Sequence, residues 1–244
     1  MLDILFHDDY FVAVNKPAGL LVHRSPLDPR EEHFALQLVR NLLKRHVYPV
    51  HRLDRGTSGI LLFGLTPEAA RFLAAAFAER QVEKRYLAVV RGITPEEGVI
   101  DHPLADEPDR YLPKSLQTGT ERQALTRFRR LATAELPFAV GRYATSRYSL
   151  VAASPHTGRR RQLRRHFKHL FHPIIGDTTY GEGRHNRFFR EEFGCGRLLL
   201  HAERLSFRHP FTGREIVLSA PLDSAFSRLL DRLGWHDAAG LHHL

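Results

Sequence analysis

The chain has 244 residues, enough to bury a full hydrophobic core as one large domain or two small ones. Hydrophobic residues make up 43% of the sequence and aromatic residues 10%, which is typical of a folded globular protein, and the single cysteine, Cys195, excludes an internal disulfide framework and a cysteine-based zinc cluster. Lysine and arginine number 36 against 27 aspartates and glutamates, and the resulting net charge of +9 favours a polyanionic partner without choosing between RNA, DNA and an acidic membrane surface.

The N-terminal half is predicted to begin with two short strands in ILFHDDYFVAVNKP, on either side of a turn at Asp8 and Asp9. A helix is predicted in EHFALQLVRNLLKRH, where apolar residues recur at helical spacing. The apolar run GILLFGL indicates a buried strand, and TPEAARFLAAAFAER indicates a helix with Thr66 as its N-cap and Pro67 in its first turn. The stretch KRYLAVVRG predicts a strand that ends at Gly92.

The C-terminal half is predicted to hold more strands than helices. Residues 101–120 contain three prolines and no periodicity, so we expect a surface excursion there. Strands near 121–132 and 146–153 lead to a basic helix near 158–170, and the stretch HNRFFREEFGCG is predicted to be a loop. Two further strands, RLLLHAERLSF and EIVLSAP, are joined by the turn HPFTGR and precede a final helix, LDSAFSRLLDRLGW. Because strands outnumber helices without alternating regularly with them, we predict an α+β fold with a mixed or mainly antiparallel central sheet.

Targeting segments are not predicted. The N-terminal stretch MLDILFHDDYFVAVNK lacks the positively charged n-region of a signal peptide. No apolar run approaches the ~20 residues that a membrane span needs. We therefore expect a cytoplasmic protein without membrane contact.

A strongly basic helix is predicted in HTGRRRQLRRHFKHLFHP. One face is apolar, and another carries four cations at helical spacing: Arg161, Arg164, Arg165 and Lys168. Like charges at these spacings repel, so a bound polyanion or a partner carboxylate would stabilise the helix. We expect the helix to open at Thr157 and Gly158, where free backbone N–H groups would bind a phosphate. A solvated basic face without a ligand is the alternative interpretation.

One carboxylate, Asp54, lies between Arg52 and Arg55 in VHRLDRGTSGILLFGL. The flanking arginines favour its ionised form, which is a competent nucleophile but an unsuitable general acid. A glycosidase generally needs a second carboxylate as proton donor, and none lies near Asp54 in the sequence. A structural ion pair in a loop is the alternative interpretation.

Tyr86 lies among strand residues, with Lys84 and Arg85 before it. In isolation it is interpreted as an ordinary sheet tyrosine. In a basic cleft, the same ring would stack on a nucleobase.

Metal and cofactor sites are not predicted. His166, His169 and His172 recur every three residues, but neighbouring arginines repel a cation, and no H-E-x-x-H pattern occurs. Neither G-x-G-x-x-G nor G-x-x-x-x-G-K-[ST] is present, and GTSG lacks the spacing of a nucleophile elbow.

Six stretches together resemble, in the same order, the motifs of the RluA family of pseudouridine synthases, and they extend over nearly the whole chain: VNKPAGLLVH, HRLDRGTSG, KRYLAVVRG, TGRRRQLRRH, HPIIGDTTYG and LLLHAERLSFRHPFTG. The resemblance implies a pseudouridine synthase fold with an RNA-binding cleft. It also implies isomerisation of uridine to pseudouridine in RNA, without a cofactor.

The resemblance further implies a role for each matching residue. Asp54 corresponds to the catalytic aspartate, Arg164 to its basic partner, and Tyr86 to the ring that packs on the target uracil. Arg52 is similar to the arginine that enters the RNA stack beside the flipped nucleotide. The family usually has histidine at the position of Arg161, so the contact made there is left open. Further RNA contacts are expected from Arg55, Arg161, Arg165 and Lys168.

The predicted isomerisation agrees with these residues. It breaks an N-glycosidic bond and forms a carbon–carbon bond without water attack, so a second carboxylate is not required. Asp54 attacks the uracil ring, attacks the sugar or removes a sugar proton, and the sequence leaves these routes open. Two alternatives from other classes are a non-catalytic RNA-binding module of the same fold and a basic glycoside hydrolase or nucleosidase.

The RNA substrate is predicted from the same resemblance. The likeness is greatest to a member that modifies uridine 65 of tRNA, with ribosomal RNA as the alternative substrate. Members that act on ribosomal RNA often carry an N-terminal S4-like domain, and we expect none here because NKPAG begins at residue 15. Residues 1–244 are therefore predicted to form a single catalytic domain, acting as a monomer.

Overall fold

The computed structural model describes residues 2–23, 33–106 and 119–239. Within these ranges the chain forms twelve strands: β1 (Asp3–His7), β2 (Phe11–Lys16), β3 (Tyr48–Pro49), β4 (Ser58–Gly64), β5 (Glu83–Arg91), β6 (Glu97–Asp101), β7 (Leu104–Ala105), β8 (Glu121–Arg122), β9 (Leu125–Leu136), β10 (Ser146–Pro155), β11 (Leu200–Arg208) and β12 (Glu215–Ser219). Its five α-helices are α1 (Ala35–Leu43), α2 (Pro67–Ala78), α3 (Gln162–His169), α4 (Gly183–Phe193) and α5 (Ser224–Arg232).

Ten of the strands form one mixed sheet in the order β1-β2-β4-β11-β5-β10-β9-β6, with β12 paired to β11 and β3 to β4. The pairing of β11 with β4 is parallel, and the other described pairings are antiparallel. The predicted α+β fold with a mainly antiparallel sheet is therefore confirmed.

Helices cover both faces of the sheet. Successive side chains of a strand point to opposite faces, so the apolar strands present side chains to the helices on each side. In β5, Ala88 and Val90 pack against α3, whereas Leu87 and Val89 pack against α4 and α5 on the other face. In the N-terminal half, α1 covers one face of β2 and β4 and α2 covers the other. None of the helices in the described ranges combines the length and apolar composition that a membrane span requires.

Helix α2 begins as the sequence predicts. The Oγ1 atom of Thr66 accepts a hydrogen bond from the backbone N–H of Ala69 at 3.1 Å, and Pro67 occupies the first helical position. The first N–H groups of a helix have no acceptor within the helix. Thr66 supplies an acceptor for one of them, and Pro67 has no N–H that would need one.

The loop predicted in HNRFFREEFGCG is wrong, because residues 183–193 form helix α4. Its aromatic residues provide the driving force: Phe189 is fully buried in the core beside Tyr148, and Phe193 lies one turn later against it. Gly194 ends the helix in the left-handed conformation, at φ +64°. The two glycines at the C-terminal end of this stretch gave it the composition of a loop, although its aromatic spacing fits a helix.

Helix α3 begins at Gln162, several residues later than the predicted opening at Thr157 and Gly158. Arg161 precedes it in the left-handed region, at φ +54°, so the backbone cannot continue the helix backwards. The Gln162 side chain closes this turn, since its Oε1 accepts hydrogen bonds from the Thr157 hydroxyl and the Arg159 backbone N–H. The predicted phosphate site at a helix N-terminus at Thr157 and Gly158 is therefore wrong.

Residues 101–120 were predicted to be a surface excursion, and residues 107–118 of this stretch lie outside the described residues. The described part is not entirely irregular, because β7 pairs with β8 in a small two-stranded sheet. Leu104 of β7 is buried, which anchors the base of the excursion to the body of the protein.

Candidate active site

Asp54 lies on a loop between β3 and β4 that is fixed at both of its ends. At the start of the loop, Nε2 of His51 accepts a hydrogen bond from the backbone N–H of Leu62 in β4, at 3.0 Å. Burial lowers the pKa of His51 to about 3, so the ring is neutral and this acceptor is retained at physiological pH. At the other end, the Thr57 backbone N–H donates to the carbonyl of Asp54 at 3.0 Å, closing a turn.

Lys16 holds the same loop from the opposite side. It is fully buried at the end of β2, and its ammonium donates to the carbonyls of Pro17, Leu20 and Arg55 at 2.9, 2.8 and 3.2 Å. Burial lowers the pKa of Lys16 to about 7, although the nearby Asp54 opposes this effect. The NKPAG and HRLDRG stretches are thus joined through one side chain.

Gly59 explains why the loop ends in Thr-Ser-Gly. It has a φ of +108°, and a Cβ at this position would lie 2.2 Å from the carbonyl oxygen of Ala202. Only glycine allows β4 to approach β11 this closely. Beside it, the buried Ser58 hydroxyl lies 2.7 Å from Nδ1 of the buried His201, so this serine–histidine pair stabilises the junction and is closed to a substrate.

Arg164 connects Asp54 to a second carboxylate, Asp177. Its Nη1 donates to Oδ2 of Asp54 at 3.0 Å, while Nε and Nη2 donate to the two oxygens of Asp177 at 2.7 and 2.8 Å. The side chains of Asp54 and Arg164 are 20% and 10% exposed, whereas that of Asp177 is fully buried. The guanidinium is therefore oriented by the buried acid and presents its remaining edge to Asp54.

Asp177 was not identified from the sequence, although it lies in the HPIIGDTTYG stretch. Burial alone would raise the pKa of Asp177, but the hydrogen bonds from Arg164 and from the Tyr180 and Thr179 backbone N–H groups outweigh burial and lower it below the usual range. Burial alone would lower the pKa of Arg164, but the carboxylates of Asp177 and Asp54 outweigh burial and raise it. Asp177 and Arg164 are consequently both charged at neutral pH, and Asp177 positions the guanidinium of Arg164.

Tyr86 lies on β5 and lines the same cleft as Asp54 and Arg164. Burial, followed by the negative charge of Asp54, raises the pKa of Tyr86 well above its ordinary value. The phenol is therefore protonated at neutral pH, which leaves an uncharged ring next to the carboxylate.

The cleft has a volume of about 590 Å³ and a strongly cationic lining. Its basic residues come from the Asp54 loop, from the stretch between α2 and the start of β5, from the turn before α3 and from α3 itself: Arg52, Arg80, Lys84, Arg159, Arg160, Arg161 and Arg164. The structure thus brings together the predicted residues Arg52, Asp54, Tyr86, Arg161 and Arg164.

Three other predicted RNA-binding residues lie outside this lining, and their RNA contacts stay predictions. Arg55 donates to the carbonyl of Gly19 at 3.0 Å, and Arg165 donates to that of Ala105 at 2.9 Å. Lys168 is exposed on α3. Arg161 lies outside the helix and Arg164 is buried, so the predicted stripe of four cations on one exposed helical face is wrong.

The described residues contain no cluster of three or more histidine, cysteine, aspartate or glutamate side chains that could hold a metal ion. The cleft brings together the carboxylate of Asp54, the guanidinium of Arg164 and the neutral phenol of Tyr86.

Known RNA-modifying proteins are similar to this chain in sequence. The sequence profile of the RNA pseudouridylate synthase family matches residues 10–169. The chain is 53% identical over 235 residues to tRNA pseudouridine synthase C of Haemophilus ducreyi, covering 96% of this chain and 97% of the relative. It is 49% identical to the protein of the same name in Vibrio cholerae, covering 98% of each chain.

Solved structures show the same fold. Human RNA Pseudouridylate Synthase Domain Containing 4 superposes with a TM-score of 0.71 at 25% identity, covering 95% of this chain and 93% of that one. Human RNA Pseudouridylate Synthase Domain Containing 1 gives a TM-score of 0.67 at 27% identity, covering 96% and 95%.

Proposed function

Because the chain belongs to the RNA pseudouridylate synthase family, we propose that it isomerises uridine to pseudouridine in tRNA, with Asp54 as the catalytic residue. The observation that supports this role is the hydrogen bond of 3.0 Å between Asp54 and Arg164 at the bottom of a cationic cleft. The carboxylate in that position reacts with the target nucleotide, and the hydrogen bond from the neighbouring guanidinium orients it.

The remaining cleft residues suit a nucleotide that has left its stack. Extruding a base costs a few kcal/mol, which contacts in the cleft must offset. The uncharged ring of Tyr86 offers a surface on which uracil stacks. Arg52 is exposed on the same cleft and takes the space that the flipped base leaves in the RNA.

A hydrolase is less well supported by the same geometry. The second carboxylate near Asp54 is Asp177, but its side chain is fully buried and both of its oxygens accept hydrogen bonds from Arg164. Its pKa is lowered, so it does not carry the proton that a glycosidase acid must donate. The site therefore supports an isomerisation in which no water is activated.

The finer assignments are part of the same proposal. The relatives named tRNA pseudouridine synthase C support a tRNA substrate. Uridine 65 is the nucleotide that the motif resemblance implies. We infer one catalytic domain that acts as a monomer in the cytoplasm.

Tritium release from C5 of uridine tests the proposal. A tRNA transcript made with 5-tritiated uridine is incubated with the wild-type protein, and with the Asp54→Asn and Asp9→Asn variants. We expect wild type and Asp9→Asn to release tritium equally, because Asp9 is exposed in the β1–β2 turn. Asp54→Asn keeps the shape of the side chain and should lose roughly a thousandfold or more of the rate.

Each alternative gives a different result in this assay. RNA binding without release from wild type would indicate a non-catalytic module, and free uracil would indicate a hydrolase. Release from a transcript in which uridine 65 is replaced by cytidine would show that another nucleotide is the target. Release from a ribosomal RNA fragment, and none from tRNA, would show that the substrate is wrong.

A further inference from the structure

Lys84 is a cleft residue to which none of the preceding steps gives a role. It lies in β5 two positions before Tyr86, so both side chains point to the same face of the sheet. Both residues line the cleft that contains Asp54. Positions two apart on a strand are separated by roughly 7 Å, so one nucleotide can contact both side chains.

The ammonium of Lys84 lacks a protein partner among the residues that the structure describes. The side chain is half-buried, and no hydrogen bond or ion pair joins it to the described chain. Lys16 differs, because all three of its donors are used by backbone carbonyls. Arg85, next in sequence, points to the opposite face and pairs with Glu203 at 2.6 Å.

The neighbours of Lys84 cannot neutralise it. The nearby His51 ring is neutral, because burial and then the charge of Lys84 lower the pKa of His51 to about 3. Asp54 is held by Arg164. Burial also lowers the pKa of Lys84, so an anion that pairs with it would stabilise its charged form.

On the basis of the proposed function, we propose that the Lys84 ammonium binds a phosphodiester of the substrate RNA, at the nucleotide whose base packs on Tyr86. A phosphate brings the full negative charge that the cleft lacks around Lys84, whereas a uracil carbonyl brings none. An ammonium is a compact point charge that binds a phosphate oxygen without the planar alignment that a guanidinium needs. Lys84 thereby fixes the backbone of the flipped nucleotide while Tyr86 holds its base.

Salt dependence of RNA binding tests this contact. Affinity for an unmodified tRNA transcript is measured over a potassium chloride series for wild type, Lys84→Met and Lys84→Arg. The control is Lys44→Met, which removes an exposed lysine at the end of α1, outside the cleft lining. Each phosphate contact contributes about 0.7–0.9 to the log–log slope, so Lys84→Met should reduce the slope by that amount.

The variants should also separate in affinity and turnover. We expect the Kd of Lys84→Met to rise roughly 10- to 100-fold, the range for a hydrogen bond to a charged group, and the loss to appear in KM rather than in kcat. Lys84→Arg should restore the slope, and Lys44→Met should match wild type. A wild-type slope in Lys84→Met, an equal decrease in Lys44→Met, or a loss confined to kcat would each overturn the phosphate contact.

A second measurement uses the wild-type protein and does not depend on the folding of a variant. Lysines are acetylated with and without saturating tRNA, and the modified positions are identified by mass spectrometry. RNA should protect Lys84 and leave the reaction of Lys44 unchanged. Equal acetylation of Lys84 in both samples would overturn the proposal. A protein that binds RNA in this way but releases no tritium would refute the proposed function and leave the Lys84 contact standing.

Discussion

The segment from residue 157 to residue 170 contains two kinds of basic residue, and their surroundings are opposite. Arg164 and His166 point into the protein, where carboxylates and a threonine hydroxyl bind them. Arg161 borders the cleft before the helix begins, and Lys168 is exposed on its surface. Basic residues that are close together in the sequence can therefore have different roles in the folded protein. Arg164 holds Asp54 in the candidate site, whereas we predict that Arg161 and Lys168 contact RNA.

The largest expected effect is on the inward side, from the substitution Arg164→Met. It leaves Asp177 fully buried without its partner, and removing one member of a buried ion pair costs about 3–5 kcal/mol. We expect a loss of that size in the free energy of unfolding measured by urea titration, together with loss of tritium release.

The double variant Arg164→Met/Asp177→Asn is the control for this prediction. It no longer buries an unpaired charge, so it should regain much of the stability while releasing no tritium. If Arg164→Met were as stable as wild type, the contrast between the two sides of the segment would be broken.

The next effect is the response to pH, which also belongs to the buried side. Burial lowers the pKa values of His166 and His201 to about 4 and that of His51 to about 3. The unfolded chain binds protons at these residues near pH 6.5, and the folded chain does so only near pH 4 or below. Stability therefore falls as the pH falls between these values, by about 3.5 kcal/mol per pH unit near pH 5 for the three residues.

Urea titrations at pH 7, 6 and 5 measure this slope. The substitution His201→Gln should remove about a third of it, since each histidine contributes one proton to the difference. Equal unfolding free energies of the wild-type protein at pH 7 and pH 5 would contradict the assignment of these three rings as buried and neutral.

The sequence predicted correctly those features that depend on residues close together along the chain. The Thr66 cap, the apolar strands and the position of Asp54 between two arginines are visible in short windows, and the structure places Asp54, Tyr86 and Arg164 around one cleft. The resemblance to pseudouridine synthases is confirmed by the family match and by the relatives.

Long-range partners could not be predicted in the same way. Asp177 binds Arg164 from a separate loop, and no local pattern states which acid a buried arginine will meet. Arg161 takes a left-handed conformation, so the helix starts late. Arg164 points inward, where it binds Asp177. Helix α4 was missed because its stability comes from Phe189 packing on a distant strand rather than from its own composition.

The smallest expected effect is on the outward side, and it appears with salt rather than with pH. Lys168→Ala removes an exposed cation, and Arg161→Asn removes a cleft cation while keeping a residue that tolerates a φ of +54°. Each should weaken tRNA binding and reduce the log–log salt slope by about 0.7–0.9 if it loses one phosphate contact. Neither should change the urea midpoint by as much as Arg164→Met, because neither leaves a buried charge unpaired. Lys44→Ala provides the matched control for a lysine far from the segment. An unchanged slope in both variants would show that the outward cations do not contact RNA, and the two sides of the segment would then differ in burial alone.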